Sequence, residues 1–163
     1  MNHNPIEFIK TIHKKGVRYL LIGRQAIIAY GGPVQSMDYD LYVDSAPENI
    51  ELLIQIAKKI GLSPSIKPDK MATAPLFKLE NDYTIDIFKA KYIAIEPGKK
   101  LSFAEMYERK TVLKGESGLE INLPSIDDLI QLKRMRNLPK DQLDIKYLKA
   151  LKNKAHKSIA PLT

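Results

Sequence analysis

The chain contains no cysteine and only three histidines among its 163 residues. The absence of cysteine excludes disulfide bonds, thiolate zinc sites and cysteine nucleophiles. A zinc site built from His3, His13 and His156 is not expected either, because these residues lack ligand spacing. The first residues lack the apolar core of a signal peptide, and no apolar run approaches the roughly 18 residues of a membrane span. We therefore expect a cytoplasmic protein with no membrane partner.

Composition and length favour one globular domain. Apolar residues make up 44% of the chain and charged residues 28%, which is an ordinary globular balance. No internal repeat or low-complexity linker interrupts the sequence. We expect a single domain over residues 1–163, with a core at 16–123, basic helices at 125–153 and a tail at 154–163.

The formal net charge of +7 is unevenly distributed. Residues 131–163 contain nine Lys and Arg but only two acids, Asp141 and Asp144. Such a run is commonly a solvated, lysine-rich helical face. It is also what a surface that binds nucleotide or nucleic-acid phosphates requires. The sequence leaves both interpretations open.

Apolar periodicity and turn residues predict alternating helices and strands. A first helix is predicted from Asn4 or Pro5, with Gly16 just past its end, and a second, RQAIIAY, follows Gly23 and stops at Gly31. Further helices are predicted from Ser45 or Pro47 to Ile60, over 126–137 and over 140–153. Strands are predicted over 18–22, 38–43, 75–80, 83–88, 111–113 and 119–123, with a loop containing Pro97 and Gly98. This order indicates an α+β (α/β) domain with a mixed sheet flanked by helices and a C-terminal helical pair.

The stretch MDYDLYVD places two carboxylates, Asp38 and Asp40, on one side of a predicted strand. We expect Tyr39, Leu41 and Val43 to face the core while the two acids face outward. The later strand YTIDIF carries Asp86 on its polar side. If the two strands are neighbours, three carboxylates converge, and a divalent cation such as Mg²⁺ would relieve their repulsion. Such a site suits phosphoryl displacement.

Each feature taken alone also has a plain structural interpretation. An Asp-x-Asp pair on a strand is most often exposed and solvated. Gly23 is explained by a tight turn between strand and helix, although free N–H groups at that helix start could also hold an anion.

Together, these residues resemble the nucleotidyltransferases of the DNA polymerase beta superfamily. That signature is a hydrophobic residue, a glycine and usually Gly or Ser, then an Asp-x-Asp or Asp-x-Glu on the next strand and a third carboxylate later. Here it reads Ile22, Gly23 and Arg24, then thirteen residues before Asp38-Tyr39-Asp40, with Asp86 following. The segment LPSIDDLIQLKRMRNLPKDQLDIKYLKAL is similar to the tail of small abortive-infection and toxin-antitoxin nucleotidyltransferases. Its matching positions are Lys133, Arg136, Lys140, Asp141 and Asp144.

The resemblance, which covers residues 16 to about 151, implies a nucleotidyltransferase fold and a role for each residue. Asp38, Asp40 and Asp86 would be the catalytic residues and would bind Mg²⁺ or Mn²⁺, with Asp86 also helping to activate the acceptor hydroxyl. Gly23 would receive the β and γ phosphates of a nucleoside triphosphate. Lys133 would reach toward the triphosphate; its alternative role is that of a surface lysine on an amphipathic helix.

The remaining positions carry different expectations. Arg24 departs from the Gly or Ser of the signature, and its side chain would either obstruct the phosphate channel or grip a phosphate. Asp141 and Asp144 are expected to be structural, pairing with Arg136 or Lys140 to set the angle between the last two helices.

The leading hypothesis is a metal-dependent transfer of a nucleoside monophosphate from an NTP such as ATP to an acceptor hydroxyl, releasing pyrophosphate. RNA, including a tRNA 3′ end, is favoured as acceptor by the basic terminus. A protein hydroxyl is also open as an acceptor, whereas a small molecule such as an aminoglycoside is less favoured because the chain has little room for a separate binding domain. A cognate antitoxin is a further candidate partner. The alternative is a noncatalytic module that binds nucleic acid or a partner protein on a degenerate nucleotidyltransferase fold. A glycosyltransferase that uses Asp-x-Asp is disfavoured by the short chain.

Overall fold

A computed structural model describes residues 4–136 and 138–159, with side chains up to Lys154. The helices are α1 (Pro5–Lys14), α2 (Gly23–Ala29), α3 (Pro47–Lys59), α4 (Phe103–Glu108), α5 (Ile126–Arg136) and α6 (Pro139–Ile159). The strands are β1 (Tyr19–Ile22), β2 (Tyr39–Val43), β3 (Ser63–Pro64), β4 (Leu76–Glu80), β5 (Thr84–Phe88), β6 (Tyr92–Glu96), β7 (Lys99–Ser102), β8 (Thr111–Lys114) and β9 (Glu120–Leu123).

The central sheet has five strands in the order β1-β2-β5-β4-β3. Strands β2 and β5 run parallel, and the other neighbouring pairs are antiparallel. Separate two-stranded sheets are formed by β6 with β7 and by β8 with β9. The predicted mixed sheet flanked by helices is therefore confirmed.

One face of the central sheet carries the main hydrophobic core. Alternate side chains of β2 and β5 point into it and are fully buried, among them Leu41, Val43, Ile85 and Ile87. They pack in one cluster with apolar side chains of α1 and α3, because both helices turn an apolar stripe toward the sheet. The predicted inward positions on β2 are thus correct, although Tyr39 is only partly buried.

The opposite face of the sheet, toward which the acids of β2 were expected to point, is partly covered and not open to solvent along its whole length. Tyr42, two residues after Asp40, is fully buried there. Its ring lies 4.9 Å from that of Phe88 and 5.0 Å from that of Phe103, and its hydroxyl donates a 2.6 Å hydrogen bond to the carbonyl of Ala90. The cover comes from the β6–β7 hairpin and α4, where only a loop was expected.

The prediction of a loop was wrong because Pro97 and Gly98 were taken to indicate irregular structure over the whole segment. The two residues form the turn between β6 and β7, and the preceding stretch YIAIE alternates apolar and other residues as a strand does. Helix α4 then begins with a capping box between Ser102 and Glu105.

The C-terminal helical pair forms as predicted, with a longer second helix. Ser125 accepts a 3.1 Å hydrogen bond from the backbone N–H of Asp128 at the start of α5. Pro139 is the first residue of α6, which continues to Ile159 rather than ending near residue 153. Residues 154–159 of the expected tail are therefore helical, whereas residues 137 and 160–163 lie outside the described part. None of the helices in the described ranges has the length and apolar character needed to cross a membrane.

Candidate active site

Asp40 and Asp86 lie side by side because their strands are parallel neighbours in matching register. Both side chains point to the face opposite the main core, and the two carboxyl groups approach within hydrogen-bonding reach of each other. Partial burial raises the pKa of Asp40 to about 6, and the negative charge of Asp86 adds to this rise. The structure thus brings together two of the three predicted carboxylates, one from each strand.

The third carboxylate, Asp38, stands at the edge of this pair. Strand β2 begins at Tyr39, so Asp38 precedes the paired part of the strand, and it is exposed. Its charge is still close enough to contribute to the raised pKa of Asp40. Within the described residues, however, no three His, Cys, Asp or Glu side chains gather tightly enough to hold a metal ion. The predicted trio is therefore a close pair with an adjacent third acid.

Gly23 lies directly against the carboxylate of Asp40. Its φ angle is +71°, which side chains disfavour, and a Cβ built on it would lie 2.5 Å from Oδ2 of Asp40. The chain passes from β1 into α2 at this residue without an intervening loop. The position therefore requires glycine on two counts, its backbone conformation and the nearness of Asp40.

Two cations of α5, Lys133 and Arg136, line the same cavity of about 310 Å³ as the acidic pair. Lys133 is only 6% exposed, and its Nζ lies 3.0 Å from Oδ2 of Asp144. The alternative interpretation of Lys133 as a surface lysine is therefore wrong. A basic wall faces the two carboxylates across the cavity.

This basic wall is held in place by two fully buried carboxylates of α6. Asp141 accepts hydrogen bonds from Nε and Nη2 of Arg136 at 2.9 and 2.6 Å, which holds the pKa of Asp141 at about 2. Asp144 lies beside Lys133. The expected structural pairing with Arg136 is seen, whereas the pairing with Lys140 is absent from the ion pairs of the described side chains.

Arg24 neither obstructs the cavity nor points into it to contact a phosphate. Its guanidinium lies 3.4 Å from both carboxylate oxygens of Asp144 and is not among the groups lining the cavity. Arg24 therefore ties α2 to α6 and leaves the space beside Gly23 clear of its side chain.

Sequence reasoning missed Lys78. It lies opposite Asp86 in the β4–β5 pairing, and its Nζ is 3.2 Å from Oδ1 of Asp86. The predicted two-residue turn at Asn81 and Asp82 would pair Lys78 with Ile85. In the structure Glu80 pairs with Thr84, so the loop has one residue more, and this shift of register places Lys78 across from Asp86. The apolar part of the cavity wall was also missed; it includes Leu76, Phe88, Leu129, Leu132 and Met135.

The donor set suits a hard divalent cation. Asp40 and Asp86 offer carboxylate oxygens, which Mg²⁺ and Mn²⁺ prefer. Burial raises the pKa of Asp40, and the charges of Asp86 and Asp38 add to this rise, so the charged form of Asp40 is less favoured than in water. A divalent cation held by Asp40 and Asp86 would favour the charged form of Asp40.

Comparisons with known proteins agree with the architecture. No family model matches the chain, and no curated protein matches it. Among solved structures, a Thermotoga maritima protein described as a nucleotidyltransferase is 15% identical with a TM-score of 0.59, and the match covers 96% of this chain and 88% of that one. The lincosamide antibiotic adenylyltransferase LnuA, bound to lincomycin, is 18% identical with a TM-score of 0.62, over 89% and 94%.

A third solved structure, ANT(2″)-Ia in complex with adenylyl-2″-tobramycin, is 18% identical with a TM-score of 0.59. The match covers 93% of this chain and 89% of that one. All three likenesses span nearly the full length of both proteins. The chain therefore has the nucleotidyltransferase fold.

Proposed function

We propose that the chain transfers a nucleoside monophosphate from an NTP to an acceptor hydroxyl. The observation that carries this proposal is the cavity in which Asp40 and Asp86 face Lys133 and Arg136. In the transfer, the acceptor oxygen forms a bond to the α-phosphorus while the bond from that phosphorus to the bridging oxygen breaks. Pyrophosphate leaves with the electron pair of the broken bond.

The charged side chains at the cavity and Gly23 have separate roles in this proposal. Asp40 and Asp86, with Asp38 beside them, would hold Mg²⁺ or Mn²⁺, which when bound neutralises charge at the reacting phosphate. Asp86 accepts the proton of the acceptor hydroxyl. Lys133 and Arg136 face the negative charge of the triphosphate, and Gly23 lets a phosphate approach the backbone closely.

The acceptor is proposed from the shape of the cavity and from its surroundings. The volume and the apolar wall of Leu76, Phe88 and Met135 suit a small molecule with an apolar part. One protein of similar fold is a lincosamide antibiotic adenylyltransferase bound to lincomycin, and another is in complex with adenylyl-2″-tobramycin. The lysine-rich α6 supports RNA or a protein as a second class of acceptor, since its charge would attract phosphates. A cognate antitoxin is a further proposed partner.

The test is to incubate the protein with each of the four labelled NTPs and Mg²⁺. Lincomycin, tobramycin, total RNA and a protein extract serve as separate acceptors. We expect label in one acceptor and its loss in the Asp40→Asn/Asp86→Asn double variant. Asp69→Asn, an exposed acid that does not line the cavity, is the matched control and should keep the label. Labelling that survives the double variant contradicts the proposal.

A second candidate function, the noncatalytic binding module, is favoured by the ion pair between Lys78 and Asp86. A carboxylate already neutralised by a lysine is a weaker metal ligand. Thermal melting with Mn²⁺ and ATP separates the two candidates, because a ligand that binds the folded state raises the melting temperature. An enzyme should be stabilised by the pair of ligands, whereas a pure RNA-binding module should melt at an unchanged temperature.

A further inference from the structure

A second cavity lies on the other side of the central sheet from the acidic pair. It is an open groove of about 810 Å³ between α3 and residues 63–72, and it shares no lining residue with the first cavity. Its volume falls within the range of about 300 to 1,000 Å³ that is usual for small-molecule sites.

The walls of this groove are mainly apolar. Helix α3 contributes Ile50 and Ile54, and the segment after it contributes Pro64, Ile66 and Met71. Methionine and proline beside branched aliphatic side chains form a surface that suits an apolar ligand body.

One buried cation, Lys89, belongs to this groove. It follows the last residue of β5, so strand alternation turns it away from the side of Asp86 and Phe88. Lys89 is only 7% exposed, its ammonium group still reaches the surface of the groove, and no hydrogen bond or ion pair of the described residues includes that group. Burial alone lowers the pKa of Lys89, with no carboxylate contributing.

Glu51, an acidic residue of the same groove, does not form an ion pair with Lys89. It lines the same groove but accepts a 3.4 Å hydrogen bond from Gln55. An ammonium group without a partner at the end of a mostly buried side chain is favourably paired with an anion whose apolar part covers the walls around it. This pairing of one cation with an apolar groove distinguishes the second cavity from an ordinary surface cleft.

We propose that this groove binds a small organic anion with one carboxylate on an apolar body, and that Lys89 pairs with the carboxylate. A single lysine, without a second cation in the buried part of the groove, matches one negative charge better than a phosphate group. The apolar walls then cover the rest of the ligand. The inference is independent of nucleotidyl transfer, because none of its residues lines the cavity of the acidic pair.

The probes are octanoate and octan-1-ol, which differ in charge and share an apolar chain. We expect wild-type protein to bind octanoate about tenfold more tightly than octanol, measured by calorimetric titration. Lys89→Met keeps the length of the side chain and removes its charge. It should abolish the preference for octanoate while leaving octanol binding nearly unchanged.

Two further variants keep the test decisive. Lys58→Met removes an exposed cation from the rim of the same groove and should preserve the preference. Ala72→Trp fills the groove from an exposed position, so its fold should be intact and both ligands should bind more weakly. Wild-type protein that binds both probes equally, a preference that survives Lys89→Met, or binding unaffected by Ala72→Trp would each overturn the proposal.

Discussion

Gly23 and Asp40 are in direct contact, so that a Cβ on residue 23 would lie 2.5 Å from Oδ2 of Asp40. This contact joins the turn between β1 and α2 to the acidic pair. Any side chain at residue 23 has to displace the carboxylate on which the proposed chemistry depends.

Gly23→Ala should therefore destabilise the protein and displace Asp40. The positive φ angle costs about 1 to 2 kcal/mol for alanine, and the contact with Asp40 adds a further cost because the carboxylate has to move. Gly98→Ala is the matched control, because Gly98 has a φ of +77° with no atom within 4 Å of the added Cβ. Urea denaturation compares the two variants. Equal losses in free energy of unfolding would show that the contact with Asp40 is unimportant.

Asp40→Asn should stabilise the metal-free protein while it removes nucleotide transfer. The carboxylate of Asp40 is partly buried beside Asp86, which raises its pKa to about 6, so at neutral pH its charge is more costly in the folded state than in the unfolded state. Removing that charge should raise the free energy of unfolding in EDTA by roughly 1 to 3 kcal/mol. Asp38→Asn, at an exposed position, should change it little. A less stable Asp40→Asn protein would mean that the acidic pair is not under electrostatic strain.

Lys78→Met should tighten Mn²⁺ binding. The ammonium group of Lys78 lies 3.2 Å from Oδ1 of Asp86 and competes with a cation for that carboxylate. Calorimetric titration of Mn²⁺ into the variant should give a lower Kd than the wild-type value. Lys99→Met, an exposed lysine of the β6–β7 hairpin, removes the same charge and should leave the Kd nearly unchanged. Weaker binding in Lys78→Met would assign Lys78 a supporting role at the site instead.

Asp141 should make stability depend on pH in the acid range. Because the hydrogen bonds from Arg136 lower the pKa of Asp141 to about 2, the folded state favours the carboxylate more than the unfolded state does. This contribution, about 2 to 3 kcal/mol, is fully present above about pH 4 and is lost as pH falls toward 2. Asp141→Asn should remove that part of the pH profile, measured by denaturation at several pH values. Glu48→Gln, which breaks an exposed pair with Arg18, should leave the profile nearly as it is.

Six of the nine described strands, most helices and the acidic positions could be predicted because their signals are local. Alternation in DLYV and TIDI places Asp40 and Asp86 on the polar side of their strands, and Gly23 follows directly from a buried strand. The hairpin β6–β7 was missed because Pro97 and Gly98 also fit an irregular loop. The end of α6 was missed because helical propensity does not mark where a polar helix stops.

The sequence by itself determined the mixed sheet, the helical pair after it and the side of each strand on which the carboxylates lie, since these follow from spacing along the chain. Only the tertiary structure decided which charges meet. Strand pairing placed Asp86 between Asp40 on one neighbouring strand and Lys78 on the other. The packing of α6 on α5 brought Lys133 and Arg136 against buried carboxylates. These contacts join residues distant in sequence, and their geometry depends on how the helices pack on the sheet, which no local pattern encodes.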